Sequence, residues 1–330
     1  MANPRSFPRF KGWLLPGLAL ACLLALPPVA QALGQPALVT LVTRMMILGL
    51  AASALNIALG MGGLISLGHA AFYGIGGYAV GILTTHAAAG APFLGFIPGS
   101  DSLALNLLAA LVASGVAAAI IGALALRTSG IQFIMITLAF AQMVFFLFVA
   151  LKAYGGDDGM SFRRRNGLLD FNMRDDATFF YVSLGVLSLW LALSARLLHS
   201  RFGLLLGGIR QSERRMQAIG VNTFAMRWLA FVLSGMGAGL AGALMANLGR
   251  FVSPDLMHWT QSGEMLIMVV LGGAGTIFGP VLGAFALIGL ETLLASWTEH
   301  WQIFLGPLLV LMALTFRGGL ARLWRKGDAS

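Results

Sequence analysis

The chain is a succession of apolar runs, each about as long as a membrane is thick, joined by short polar segments. A spanning helix needs roughly 20 apolar residues. Runs of that kind occur at Trp13–Leu33, Leu38–Leu59, Gly63–Thr85, Leu103–Leu126, Ile131–Leu151, Phe179–Leu198 and Trp228–Leu248. A longer stretch, Met265–Leu294, is broken by Gly272-Gly273 and Gly279-Pro280, and a last run covers Ile303–Phe316. Charged residues make up only 10% of the chain, against about 25% in a soluble domain. So few charges cannot cover a water-facing surface. In hydrocarbon the backbone must satisfy its own hydrogen bonds, and helices do this within one segment. The fold class is therefore all-α: a polytopic transmembrane helix bundle forming a single domain over residues 1–330.

Loop charge orients the spans. Basic residues concentrate at the N-terminus (Arg5, Arg9, Lys11), in the segment Arg196–Arg227 and in the tail (Arg317, Arg322, Arg325, Lys326). The positive-inside rule places all three in the cytoplasm. Both termini inside requires an even count, so the broken stretch splits and about ten spans result. Thr85–Ser102 carries no Lys or Arg and falls outside. Lys152–Thr178 also falls outside, although it holds Arg163-Arg164-Arg165; Asp157, Asp158, Asp170, Asp175 and Asp176 offset that run. Residues 1–33 read either as a first span or as a signal-like segment, with a basic start and Ala30-Gln31-Ala32 as a cleavage site; further spans following at once favour retention. The net charge of +9 is scattered between apolar runs, which fits membrane orientation and gives no nucleic-acid stripe. Cys22 is the sole cysteine, so the sequence offers no disulfide and no Cys/His metal set, and no cofactor is expected.

Three segments carry polar groups in unusual places. In Gly62–Tyr78, helical spacing puts Gly62, Ser66, His69 and Tyr73 on one stripe, with Gly63 and Gly68 beside it. A polar stripe in a membrane helix faces the bundle interior. It reads as a translocation path or hinge, or as a helix–helix contact with His69 hydrogen-bonded to a neighbour. The pairs Gly77/Gly81, Gly235/Gly239 and Gly279/Gly283 read as packing. Gly155–Gly159 brings Asp157 and Asp158 together in a Gly-rich turn with Gly156 and Gly159. That pattern suggests a cation site or a catalytic dyad, but more often marks a solvated outer loop. Within residues 200–227, Ile209, Met216 and Ile219 form an apolar face and Arg210, Glu213, Arg214 and Gln217 a polar one, with Gly220 as the helix stop. This short amphipathic helix either lies on anionic lipid or docks a cytoplasmic partner.

Absent motifs narrow the function. No G-x-x-x-x-G-K-[ST] phosphate loop and no H-E-x-x-H occurs, so an enzyme is not expected. No span carries several acids, and Glu264 and Glu291 lie near span ends, which argues against a self-sufficient secondary transporter of a small polar solute. A weak internal echo links the Gly-broken segments 62–83 and 263–290, as in inverted repeats, but the residues match poorly.

Four blocks together resemble one family: Gly63–Tyr78, Gly155–Gly159, Arg201–Asn222 and Met268–Gly283. Their order is similar to that of the LivM-type permease of branched-chain amino-acid ABC importers, within the LivH/LivM family. The similarity runs from about residue 38 to the tail. It implies a type II importer-like permease in a bacterial inner membrane. It further implies a second, LivH-type permease, two cytoplasmic ATP-binding subunits, a periplasmic substrate-binding protein and the lipid bilayer as partners. The implied cargo is leucine, isoleucine, valine or a related amino acid or amide, with a urea or short-amide importer as the alternative. Glu213 and Gly220 match the family's ATPase-contacting segment, whereas Arg163–Arg165 departs from its pattern.

Overall fold

Apolar runs with no partner strands leave the backbone one solution, and the chain adopts it almost everywhere. A computed structural model describes residues 11–90, 92, 98–168, 173–298, 300–315 and 319–320. Its helices are α1 (Lys11–Ala32), α2 (Ala37–Asn56, extended by a π-helical turn at Ile57–Met61), α3 (His69–Ala89), α4 (Leu103–Ala125), α5 (Ile131–Ala150), α6 (Asp176–His199), α7 (Arg201–Gln211), α8 (Glu213–Ala218), α9 (Thr223–Gly249), α10 (Trp259–Gly272), α11 (Gly279–Ala295) and α12 (Trp301–Thr315). Among the described residues, five spans are long and apolar enough to cross a membrane: Ala37–Met61, Leu103–Ala125, Ile131–Ala150, Asp176–His199 and Thr223–Gly249. The shorter apolar helices Leu20–Ala32 and Gly279–Ala295 accompany them. The protein is an all-α, polytopic bundle. Arg5, Arg9, Asp170, Phe316, Arg317, Arg322, Arg325 and Lys326 lie outside the described residues.

The core is organised on α9, which packs against α2, α3 and α4. Its interface is built from small residues, as expected where close packing rather than a hydrophobic difference holds helices together. A Cβ at Gly76 would collide with the carbonyl of Gly239, and one at Gly242 with the carbonyl of Tyr73. These glycines let α3 and α9 run backbone against backbone. The lipid-side faces of α4 and α5 are the opposite case. Leu105, Leu108, Val112, Met135, Met143 and Phe146 all stand exposed there, which an apolar solvent permits.

The broken stretch resolves into two helices. α10 has 14 residues and α11 has 17. They pack antiparallel, and a Cβ at Gly283 would strike the carbonyl of Met268. The intervening loop, 273–278, lies at the same end as the 201–222 segment, because Arg210 and Asn56 both reach it. At the opposite end, two-residue strands β1 (Met160–Ser161) and β2 (Phe251–Val252) pair antiparallel. Arg163–Arg165 also lies there, and its neighbours explain how a basic run is accommodated. Arg164 pairs with Asp101 at 2.6 Å and Arg165 with Asp176 at 2.7 Å. The Arg165 guanidinium also sits 4.7 Å from the centroid of the Phe179 ring.

Two expectations are corrected. The stripe of Gly62, Ser66, His69 and Tyr73 is not a helical face, because residues 62–68 are non-helical and α3 starts at His69. The broken backbone and the left-handed Gly63 (φ +69°) end the α2 helix there. The 201–222 segment is not one amphipathic helix but two. Ser212 ends α7 and caps α8 by accepting from the Arg215 amide at 3.5 Å. Ile209 is buried while Ile219, just past the end of α8, is 71% exposed, so Ile209, Met216 and Ile219 do not form one continuous apolar face.

Candidate functional site

Where the helical stripe fails, a hydrogen-bonded chain replaces it. Ser66 lies in the non-helical segment and folds back on the first turn of α3. Its Oγ accepts from the Gly68 amide at 3.1 Å and lies 3.1 Å from His69 Nδ1. On the other side of the ring, His69 Nε2 lies 2.7 Å from Ser234 Oγ on α9. Ser234 donates its only proton to the Ala54 carbonyl of α2 at 2.6 Å. The serine oxygen must therefore accept from His69 Nε2–H, and Nδ1 accepts from the Ser66 hydroxyl. The chain is complete with a neutral imidazole. Ser66, His69 and Ser234 are all fully buried. The ring is also packed edge-on against Phe72 and Phe231, at 5.6 and 5.4 Å between centroids. Two further hydroxyls serve the same corner: Ser262 of α10 accepts from the Ala70 amide at 2.8 Å, and Thr137 of α5 from the Leu67 amide at 3.3 Å. Side chains thus satisfy the amides freed by the helix break, as a buried backbone in a membrane requires. Tyr73 lies one turn further along α3 and is buried as well.

The two glycine-broken segments of the sequence meet in space. Asn56, at the end of α2, donates from Nδ2 to the Thr276 carbonyl and accepts at Oδ1 from the Gly275 amide, both at 2.8 Å. Arg210 donates to the Gly60 carbonyl. Its side chain also covers Gly63, where a Cβ would lie 3.1 Å from Arg210 Cγ. The 62–68 break and the 273–278 loop are thereby joined at the end of the molecule that carries α7 and α8.

The remaining expected residues of that segment split into two groups. Glu213 faces inward: it pairs with Arg227 of α9 at 2.7 Å and accepts from Thr223 Oγ1 at 3.0 Å. Gln217 donates to the same hydroxyl at 3.1 Å. Arg214 faces outward and is exposed. Gly220 has φ +83°; its amide bonds to the Gln217 carbonyl, and the Val221 amide to that of Met216. This is a Schellman stop, in the left-handed conformation that favours glycine. At the opposite end, Asp157 and Asp158 are exposed in a short turn, and Gly156 is buried beneath them. That turn leads through Gly159 into β1.

Sequence reasoning missed Asn56, Ser234, Ser262, Thr223 and Arg227. Asn56, Ser234 and Arg227 are lone polar residues inside or beside an apolar run, and that isolation was the available signal, because a lone polar group in a span needs a partner; Thr223 follows Asn222 and Ser262 follows Thr260 and Gln261, so neither stood out.

A polytopic helical bundle with broken helices and a polar, hydrogen-bonded seam buried in its interior has the architecture of a membrane transport permease. Residues 37–313 match the family described as "Branched-chain amino acid transport system / permease component", and the chain belongs to that family. Two relatives, from Salmonella typhimurium (strain LT2) and Escherichia coli (strain K12), are each 30% identical over 332 aligned residues, covering 93% of this chain and 75% of theirs. Each is called "High-affinity branched-chain amino acid transport system permease protein LivM". A shorter similarity, 32% identity over 112 residues and 31% of each chain, relates it to the "Autoinducer 2 import system permease protein LsrC" of Yersinia pestis (strain Pestoides F).

Proposed function

We propose that this chain is the permease subunit of an ATP-driven importer of leucine, isoleucine, valine or related small amino acids and amides across a bacterial inner membrane. The observation that carries this reading is the alignment with LivM proteins along 93% of the chain. The chain has no phosphate-binding loop of its own, so ATP hydrolysis belongs to separate cytoplasmic subunits. A LivH-type permease completes the path, and a periplasmic binding protein delivers the cargo to the end bearing Gly156–Gly159.

In this reading α7 and α8, within residues 200–227, form the ATPase-coupling segment. Arg214 and the exposed Ile219 face the ATPase. Arg210 and Glu213 act behind them as transmitters, because one grips the end of α2 and the other grips α9. A displacement of α8 then reaches α9, and through the Ser234–His69–Ser66 chain it reaches the 62–68 hinge. Gly62, Gly63, Ser66, Gly68, His69 and Tyr73 act as hinge and path wall. The test is co-purification of the tagged chain from its native membrane, with ATPase activity and labelled leucine uptake measured together. ATPase subunits bound to the chain and leucine-dependent uptake are expected. A chain that purifies without an ATPase, or carries no amino acid, refutes the reading.

A further inference from the structure

At the end of the bundle opposite α7 and α8, the chain forms an open cavity of about 800 Å³. The last turns of α3, Asp101, the 161–165 segment and the end of α9 make up its wall. Five arginines line it: Arg163, Arg164, Arg165, Arg174 and Arg250. Asp101 and Asp176 are the acids on the same wall. Backbone hydrogen bonds hold the wall in place. β1 pairs with β2, and the Phe162 amide then bonds to the Arg250 carbonyl at 3.1 Å. Beyond the arginine run, the Asn166 amide bonds to Asn247 Oδ1 at 3.0 Å and the Gly167 amide to the Asp101 carbonyl at 2.8 Å. The backbone that carries Arg163 is thus fixed on both sides, and Arg250 lies across from its neighbour Phe162.

These arginines do different work. Arg165 serves the fold: it pairs with Asp176, donates to the carbonyls of Asn247 and Met173, and stacks on Phe179. Only 9% of its side chain is exposed. Arg164 pairs with Asp101 at 2.6 Å, and Asp101 also accepts from Asn166 Nδ2 at 3.3 Å. Both acids of the wall are thereby taken. Arg163 and Arg250 are left over. Both are exposed, and among the described residues neither side chain has a hydrogen bond or an ion pair. Arg250 is also, among the described residues, the one non-glycine residue with a positive φ, +52°. Glycine would hold that left-handed helix end more cheaply, so the arginine sits there against the local backbone preference. The threonines of the wall do not compete as donors, because Thr84 and Thr85 bond back to the Val80 and Gly81 carbonyls, both at 2.8 Å. The cavity therefore offers spare donors, an excess of positive charge and no unpaired carboxylate.

We propose that this cavity is an oxyanion site whose ligand is a phosphate group, carried by an anionic phospholipid headgroup or by free phosphate. Arg163 and Arg250 grip the phosphate, and the Ser161 hydroxyl on the same wall adds a donor. A guanidinium presents parallel N–H groups to two oxygens of one anion. One such fork occupies both oxygens of a carboxylate, whereas a phosphate has oxygens left for the second. An ammonium group or a metal cation would meet like charge. The position suits either source of phosphate. The span Thr223–Gly249 ends beside the cavity, and a span ends where hydrocarbon gives way to headgroups. The site also gives a reason for a basic run on the side where the positive-inside rule leaves few arginines. It stands independently of the cargo that the permease carries.

The test uses the full chain in nanodiscs, of phosphatidylcholine alone or of phosphatidylcholine with phosphatidylglycerol. Inorganic phosphate is titrated in the first kind, with chloride at equal ionic strength as reference, and the melting temperature is read. Phosphatidylglycerol retained on the chain from the second kind is counted by native mass spectrometry. A response to phosphate assigns the site to free phosphate, and retained phosphatidylglycerol assigns it to a lipid headgroup. In either case Arg163→Gln/Arg250→Gln is expected to weaken binding about tenfold or more, the scale of losing a charge-assisted hydrogen bond. Arg163→Lys/Arg250→Lys, which keeps the charge and loses the forks, should fall between. Phenylglyoxal labelling of the wild type gives a reading that needs no variant. Arg163 and Arg250 should be modified, and the effective probe should slow both several-fold while leaving the exposed Arg214 at the other end unprotected. The site is overturned if neither probe separates wild type from the glutamine variant, if chloride acts as phosphate does, or if neither probe protects the two arginines. It is overturned equally if the glutamine variant loses only an acidic protein partner on co-purification, since the face then docks a protein.

Discussion

Replacing Ser234 by Ala removes one oxygen from the centre of the bundle, and the structure says what that oxygen does. It accepts from His69 Nε2–H and donates to the Ala54 carbonyl. The carbonyl keeps a second partner in the Ile57 amide, but the imidazole N–H is left buried with none. An unsatisfied buried donor costs about 1–3 kcal/mol. The change His69→Phe acts differently. It keeps a ring between Phe72 and Phe231, and Ser66 and Ser234 retain the Gly68 amide and the Ala54 carbonyl as partners. Once the ring is phenyl, deleting the Ser234 hydroxyl strands nothing. The two changes are therefore expected to couple, the double variant being less destabilised than the two single losses combined. Interhelical hydrogen bonds in membranes average about 0.6 kcal/mol of coupling and reach about 1.7 kcal/mol. This bond is short and wholly buried, so the upper half of that range, about 1–1.7 kcal/mol, is expected. Reversible unfolding of the purified chain in mixed micelles, run on wild type, both single variants and the double variant, measures it. Additive losses would refute the bond and the proton arrangement derived from it.

Glu213→Lys places a cation against Arg227 and is expected to abolish uptake. The pair is partly exposed and worth only about 0.2–1 kcal/mol, so the melting temperature should hardly move, and the double swap Glu213→Lys/Arg227→Glu should restore uptake in part. Gly220→Val forces a branched residue into the left-handed region at about 1–2 kcal/mol and should weaken ATPase co-purification, while Gly220→Asn should retain most of it. Ser66→Leu introduces a bulky side chain where no exposure exists; insertion should persist and uptake should be lost, as read from membrane fractions and labelled leucine. Reporter fusions at Gly90 and Ser212 should report opposite sides of the membrane, and finding both on one side would overturn the orientation of α3 through α7.

Much of the architecture was legible because the solvent imposes it. A hydrocarbon medium demands runs of fixed length with internal backbone hydrogen bonds. The boundaries of α4 and α5 accordingly fall within a residue or so of the apolar runs that announce them. The glycine stop at Gly220 was legible too, because its left-handed backbone is a local requirement that a single residue type meets cheaply. What pattern reasoning could not see is where a run of helical composition ceases to be helix. Gly62–Gly68 has the apolar content of a span, yet it is non-helical, since Ser66, Thr137 and Ser262 supply hydrogen bonds that its neighbours in sequence cannot.

The sequence by itself determined the class of the molecule, its all-helical bundle and the family to which it belongs, because membrane solvation and local backbone preference act over a few residues. Only the tertiary structure decided the partners of the polar residues. It turned Glu213 from a free docking charge into the mate of Arg227 and joined the two glycine-broken segments through Asn56. Such pairings are chosen by which helices pack side by side, and helix packing is a property of surfaces that no local pattern encodes.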